Sequence, residues 1–340
     1  PFPARRRRGE QAVPRLARGV GRMSGSLAVF EVGILSASLL GAAAFGTGDM
    51  LGACASRRLS TANVVAISQV AAMVTLYMFA VELRMAGIGA GEILLALVGG
   101  IAHATALLLL YVGLSRGQVG VVAPLCAISS ILMPLIGDLA FGRHVATAQF
   151  AGIGLCVVAA AVITGSVRRT ANSGPIGWSA RMGLLSGLAY GASDMMLASI
   201  PSSETGAVVL VARCASVALA FALVMIATQK STSGMGQLPT SGGPVLFASP
   251  TPGGFSITMH SGIWCAGAVL SVAAGTADVM GQVAYVHAAS RGSMRVASAI
   301  TALFPAVTVM LAVIFFGERI TPAQALGYAV ATAGVLVLAA

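Results

Sequence analysis

Apolar residues in this chain come in long uncharged blocks separated by short clusters of Arg, Gly or Pro. A block of roughly 20 apolar residues is what an α-helix needs to cross a bilayer. On that criterion the breaks divide the chain into ten spans, at 32–54, 63–83, 92–114, 119–141, 147–167, 182–200, 205–228, 263–289, 294–317 and 321–340. Trp178 and Trp264 fall at helix starts, where an amphipathic ring prefers the headgroup region. Two connections exceed a hairpin. Residues 168–181 carry Arg168, Arg169 and Arg181 and read as a linker, while 229–262, rich in Gly, Ser, Thr and Pro, reads as a mobile loop.

The blocks repeat. Phe45-Gly46-Thr47-Gly48-Asp49-Met50 returns 145 residues later as Tyr190-Gly191-Ala192-Ser193-Asp194-Met195. Ser115-Arg116-Gly117 returns as Ser290-Arg291-Gly292, and that register carries Phe141-Gly142 onto Phe316-Gly317, Ala148-Gln149 onto Ala323-Gln324 and Gly152 onto Gly327. Five spans per half is an odd number, so the second copy enters the membrane upside down. The fold predicted is therefore all-α and integral to the membrane, with ten transmembrane helices as two inverted five-helix repeats. Its parts are a basic N-terminal tail at 1–31, a first repeat at 32–167, the linker at 168–181, and a second repeat at 182–340 containing the loop at 229–262. Gly183, Gly187 and Gly191 stand four apart, opposite Ser38, Ala42 and Gly46 in the other half, a spacing that lets helix backbones approach closely in lipid.

Composition agrees. The 340 residues are 57% hydrophobic and 9% charged, against about 25% charged in a soluble domain. A mean hydropathy of +0.92 excludes a soluble globular protein. Of the net charge of +10, seven arginines and Glu10 place +6 in the first 23 residues, so nothing beyond the tail suggests a nucleic-acid surface. That tail is either a basic cytoplasmic segment or lies upstream of a true start at Met23. Cys54, Cys126, Cys156, Cys214 and Cys265 form no CxxC pair and read as small buried hydrophobes, without disulfide or metal.

The end of the second half carries the most specific pattern: Phe316-Gly317-Glu318-Arg319-Ile320-Thr321, then Gln324, Gly327 and Gly334. With Arg213 inside the second helix of that half, this resembles the EamA-type ten-helix transporters of the drug/metabolite transporter superfamily. The first half departs from the pattern, with Arg143 in place of the turn glutamate and Ser68 or Gln69 in place of the arginine. The resemblance implies transport of a small metabolite or drug, often outward, and both termini in the cytoplasm. Loop charge opposes that orientation, with four basic residues inside against eight outside, unless the arginine-rich tail makes it eleven against eight.

Charged groups in a hydrocarbon layer cost about 2.5–3.5 kcal/mol on insertion scales, so those that persist mark function or pairing. Asp49 and Asp194 occupy matching places and are candidates for proton coupling or substrate contact, the alternative being a hydrogen-bonded tether between helices. His103 and Asp278 align in the second register and could share a proton across a central cavity, or simply bridge two helices. Gln282 follows Asp278 by one turn, and Gln69 and Tyr190 are further candidates for the lining. Arg213 either snorkels, pairs with Asp194 or Asp278, or binds an anionic substrate group. Pro124, Pro134 and Pro305 interrupt the fourth helix of each half, as hinges or static kinks.

Gly46-Thr47-Gly48-Asp49 also resembles the G-x-G-D signature of intramembrane aspartyl proteases, with Asp194 as the second carboxylate. The duplication argues against it, since the Asp194 segment reads as a copy of the first. The expected function is thus a secondary transporter working by alternating access, proton- or ion-coupled and exporting. It is not an enzyme, and no cofactor or metal is expected. A protease or a non-transporting membrane scaffold is the alternative. Expected partners are a small-molecule substrate and the lipid bilayer, with a homodimer open and no nucleic acid. The expected location is the cell membrane, multi-pass, as in a bacterial inner membrane.

Overall fold

The computed structural model describes residues 13–79, 89–140, 147–165, 176–200, 205–233, 261–291, 297, 300–301, 303–317 and 320–339. The tail arginines Arg5 to Arg8, the loop arginines Arg84, Arg143, Arg168 and Arg169, most of the 229–262 loop, and Glu318 and Arg319 lie outside these residues.

Among the described residues the chain forms ten helices: α1 (Val13–Ser56), α2 (Thr61–Phe79), α3 (Ala90–Arg116), α4 (Val119–Ala140), α5 (Thr147–Gly165), α6 (Ile176–Ala198), α7 (Thr205–Ser233), α8 (Ser261–Arg291), α9 (Phe304–Phe316) and α10 (Pro322–Ala339). These helices overlap the expected stretches in order, that at 294–317 through α9 at Phe304–Phe316. Their ends differ where the sequence offered no break. α1 begins at Val13, nineteen residues before the expected 32, and α6 takes in the last six residues assigned to the linker. Among the described residues five stretches are long and apolar enough to cross a membrane: Gly33–Ser56, Thr61–Met78, Ala90–Arg116, Ala207–Ala227 and Trp264–Ala288. Outward-facing Tyr77, Met78, Leu94, Val269, Ile314 and Leu326 are each more than 60% exposed, a surface that suits acyl chains and not water.

Lipid tails are as apolar as leucine, so close backbone contact and interhelical hydrogen bonds must hold the bundle together. Gly183, Gly187 and Gly191 on α6 lie against the carbonyls of Val122, Cys126 and Ser130 on α4, where any Cβ would collide. Hydroxyls fasten further crossings. Ser186 donates to Ala106 O at 2.9 Å (α6 to α3), Ser216 to Gly100 O at 2.7 Å (α7 to α3), and Thr308 to Gly46 O at 3.2 Å (α9 to α1).

The contacts come in pairs related by counting five helices forward. α1 packs on α8 as α6 packs on α3, α1 on α9 as α6 on α4, and α2 on α8 as α7 on α3, while α2–α7 and α5–α10 are their own counterparts. One pair is matched almost to the residue: Gly100 of α3 abuts the Ala212 carbonyl, and Gly275 of α8 abuts that of Ser68. Ser68 and Ala212 each precede one residue, so Gln69 and not Ser68 stands where the other half has Arg213.

The two halves' prolines act differently. α4 runs unbroken through Pro124 and Pro134. Pro124 has no N–H to offer the Gly120 carbonyl one turn back. Tyr328 of α10 donates its hydroxyl to that carbonyl at 2.8 Å. Pro305 instead sits in the first turn of α9, where a missing N–H costs nothing, just after helical Ile300 and Thr301 and the turn at Leu303. After α9, Gly317 adopts φ 64° and its N–H caps Ala312 O. Thr321 and Gln324 then form a reciprocal cap, Gln324 N to Thr321 Oγ1 at 3.2 Å and Thr321 N to Gln324 Oε1 at 2.9 Å. The Phe-Gly…Thr…Gln pattern is thus a helix stop followed by a helix start.

Candidate functional site

Arg213 sits on α7 with 1% of its surface exposed, so it does not snorkel. α7 holds it at the α7–α3 crossing, one residue beyond the carbonyl that Gly100 admits. Its partner is Asp278 on α8, with Nη1 to Oδ2 at 2.7 Å. The guanidinium also donates from Nη1 to Gln69 Oε1 on α2 at 2.9 Å and from Nη2 to Gln282 Oε1 on α8 at 2.7 Å. His103 Nε2 on α3 lies 3.2 Å from Nη1 and 3.3 Å from Asp278 Oδ2. All five residues are buried, none above 4% exposed. Tyr190 on α6 meets the His103 ring edge to face, with centroids 5.3 Å apart at 82°.

Hydrogen counting fixes the proton on His103. Nη1 carries two hydrogens, and Asp278 at 2.7 Å and Gln69 at 2.9 Å take both. A neutral His103 then bears its hydrogen on Nε2, directed at Asp278, which leaves Nδ1 a bare lone pair. That atom is buried with no partner, as is Nε2 of Gln69, whose Oε1 is committed to the arginine.

Six of the eight residues singled out from the sequence therefore converge: Gln69, His103, Tyr190, Arg213, Asp278 and Gln282. Asp49 and Asp194 do not join the hydrogen-bonded cluster. Asp49 is 6% exposed on α1, beside Gly48, whose Cα faces Asp278 N. Asp194 is half-buried on α6. Both lie within electrostatic range of Asp278, and no hydrogen bond joins them to one another among the described residues. Tyr111 escaped the sequence reading. It is fully buried on α3 with its ring pressed on Gly52, and the glycine one turn after Gly48 was the available signal.

Uniformly apolar helices around a buried, charged and hydrogen-bonded centre define a multi-pass membrane protein with a polar core. Residues 206–340 match the model of the EamA-like transporter family, a family of membrane transporters of small solutes within the drug/metabolite transporter superfamily. Among curated proteins none matches. A crystal structure 15% identical in sequence superposes with a TM-score of 0.50 over 89% of this chain and 96% of that one, a likeness of fold.

Proposed function

We propose that this protein is a secondary transporter that moves a small solute by alternating access, coupled to protons and working in the direction of export. The observation that carries the reading is the Arg213 cluster. Its members come from α2, α3, α7 and α8, two helices from each five-helix half, and they are buried where those helices cross. A transporter needs a polar site near the midplane between elements that can rearrange, and a charge pair drawn from both halves couples their movement.

The two halves, 32–167 and 182–340 about a linker at 168–181, are read as inverted repeats. The five-helix counterpart rule in the packing and the matched Gly100–Ala212 and Gly275–Ser68 contacts support this. Asp278 and Arg213 form the lock, and Gln69 and Gln282 hold its guanidinium in plane. His103 offers Nδ1 as a place for an incoming proton. An imidazolium there would compete with Arg213 for Asp278 and loosen the lock. Asp49 and Asp194 supply further carboxyls on the paired helices α1 and α6. The reading takes the membrane to be a bacterial inner membrane.

Reconstitution into liposomes with an imposed pH gradient tests the reading, using a metabolite panel and the Asp49→Asn, Asp194→Asn and His103→Asn variants. Gradient-driven flux in the wild type, reduced at least tenfold by His103→Asn, is expected. Flux that ignores the gradient and survives all three substitutions would remove the coupling claim.

A further inference from the structure

Resting on the transporter reading, we propose that the solute is an organic cation and that Asp49 is the carboxylate that meets its charge. Among the described residues the acidic groups set between the helices are buried Asp49 and Asp278 and half-buried Asp194, against one guanidinium, Arg213, and the imidazole of His103. Asp278 and Arg213 cancel at 2.7 Å. Both Nη1 hydrogens and one on Nη2 are committed, at 1% exposure, so an anionic group cannot reach the guanidinium without first breaking the lock. The groups left without a counter-ion are carboxyls, which gain a negative charge only by giving up a proton.

Asp49 is the second, independent observation. More than nine-tenths of it is buried, and no N–H or O–H of any described residue donates to it. A buried carboxylate is normally paired, because water no longer solvates it. Its surroundings do not supply a cation. Tyr190 and Tyr111 each lie within electrostatic range of both Asp49 and Asp278, and Cys126 within range of Asp49 and Asp194. A carboxyl with two aromatic rings within electrostatic range is a composition that can take an organic ammonium, the carboxylate through charge and the rings through their quadrupoles. The bare Nδ1 of His103, edge to face with Tyr190, adds another acceptor and no positive charge.

Three ligands that share a phenyl ring test this with the purified full chain: phenethylammonium, phenylalanine and phenylacetate. Isothermal titration calorimetry should find the cation binding at least thirtyfold more tightly than the anion, with the zwitterion between. Asp49→Asn should weaken cation binding at least tenfold, and Asp49→Glu should largely restore it. Equal or tighter binding of phenylacetate, undiminished cation binding in a folded Asp49→Asn chain, or binding of none of the three would overturn the proposal. If Asp49→Asn does not fold, the wild-type ranking decides alone. Proteoliposome flux of phenyltrimethylammonium separates this from the transporter reading. Flux of phenylalanine or phenylacetate without cation flux leaves a transporter and refutes the cation. Asp49-dependent cation binding with no flux of any ligand keeps the cation site and refutes transport.

Discussion

Replacing Asp278 with Asn removes the one charge that pairs with Arg213 among the described residues, while keeping the shape of the side chain. The guanidinium remains 1% exposed among Gln69, His103 and Gln282, none of which carries a negative charge. Breaking a buried pair by deleting one partner costs about 3–5 kcal/mol, because the other charge is stranded. For a chain of this length that corresponds to a fall in melting temperature of about 4–7 °C. Arg213→Met should cost a similar amount, since it strands Asp278 and leaves the oxygens of Gln69 and Gln282 without a donor. The double variant should be less destabilised than the sum of the singles by at least about 2 kcal/mol, since no charge is left unpaired. Thermal unfolding in detergent, followed by thiol labelling as buried Cys126 becomes accessible, reads all four corners of the cycle. An Asp278→Asn chain melting within about 1 °C of wild type, or strictly additive singles, would refute the lock.

The helix crossings give sharper steric contrasts. Gly275→Val should prevent folding, because its Cβ would enter the Ser68 carbonyl, whereas Gly33→Ala, with nothing within 4 Å, should match wild type in yield and melting temperature. Tyr328→Phe should cost about 0.5–1.5 kcal/mol by leaving the Gly120 carbonyl without its hydroxyl donor, seen as a small drop in melting temperature. Thr321→Ala should cost about 0.5–2 kcal/mol through loss of the cap on α10, seen as faster backbone hydrogen exchange over its first turn.

Much of this arrangement was legible in the residues, for reasons that can be named. A bilayer demands long uncharged blocks, so the order of the helices was plain, and buried charge is costly enough that Arg213, Asp278 and His103 stood out. The fall of Asp278 one turn before Gln282, and its alignment with His103, anticipated the cluster. Which carboxylate Arg213 would choose was not readable, because Asp194 and Asp278 are equally charged and only the packing of α7 and α8 on α2 brings Asp278 to 2.7 Å. The choice between Ser68 and Gln69 depended on a carbonyl facing Gly275, a backbone contact with no side-chain signature. Asp49 and Asp194 repeat in sequence but do not share the cluster, so duplication located them without revealing their partners.

The central claim is that the Arg213 cluster is reached from each side of the membrane in turn. Replace the five cysteines with alanine, introduce Gln282→Cys, and apply a membrane-impermeant thiol reagent to sealed vesicles of each orientation. The account predicts modification from both sides, with the faster side exchanging when the pH gradient is reversed. Labelling from one side only under every gradient, or none from either side in a folded chain, would contradict it.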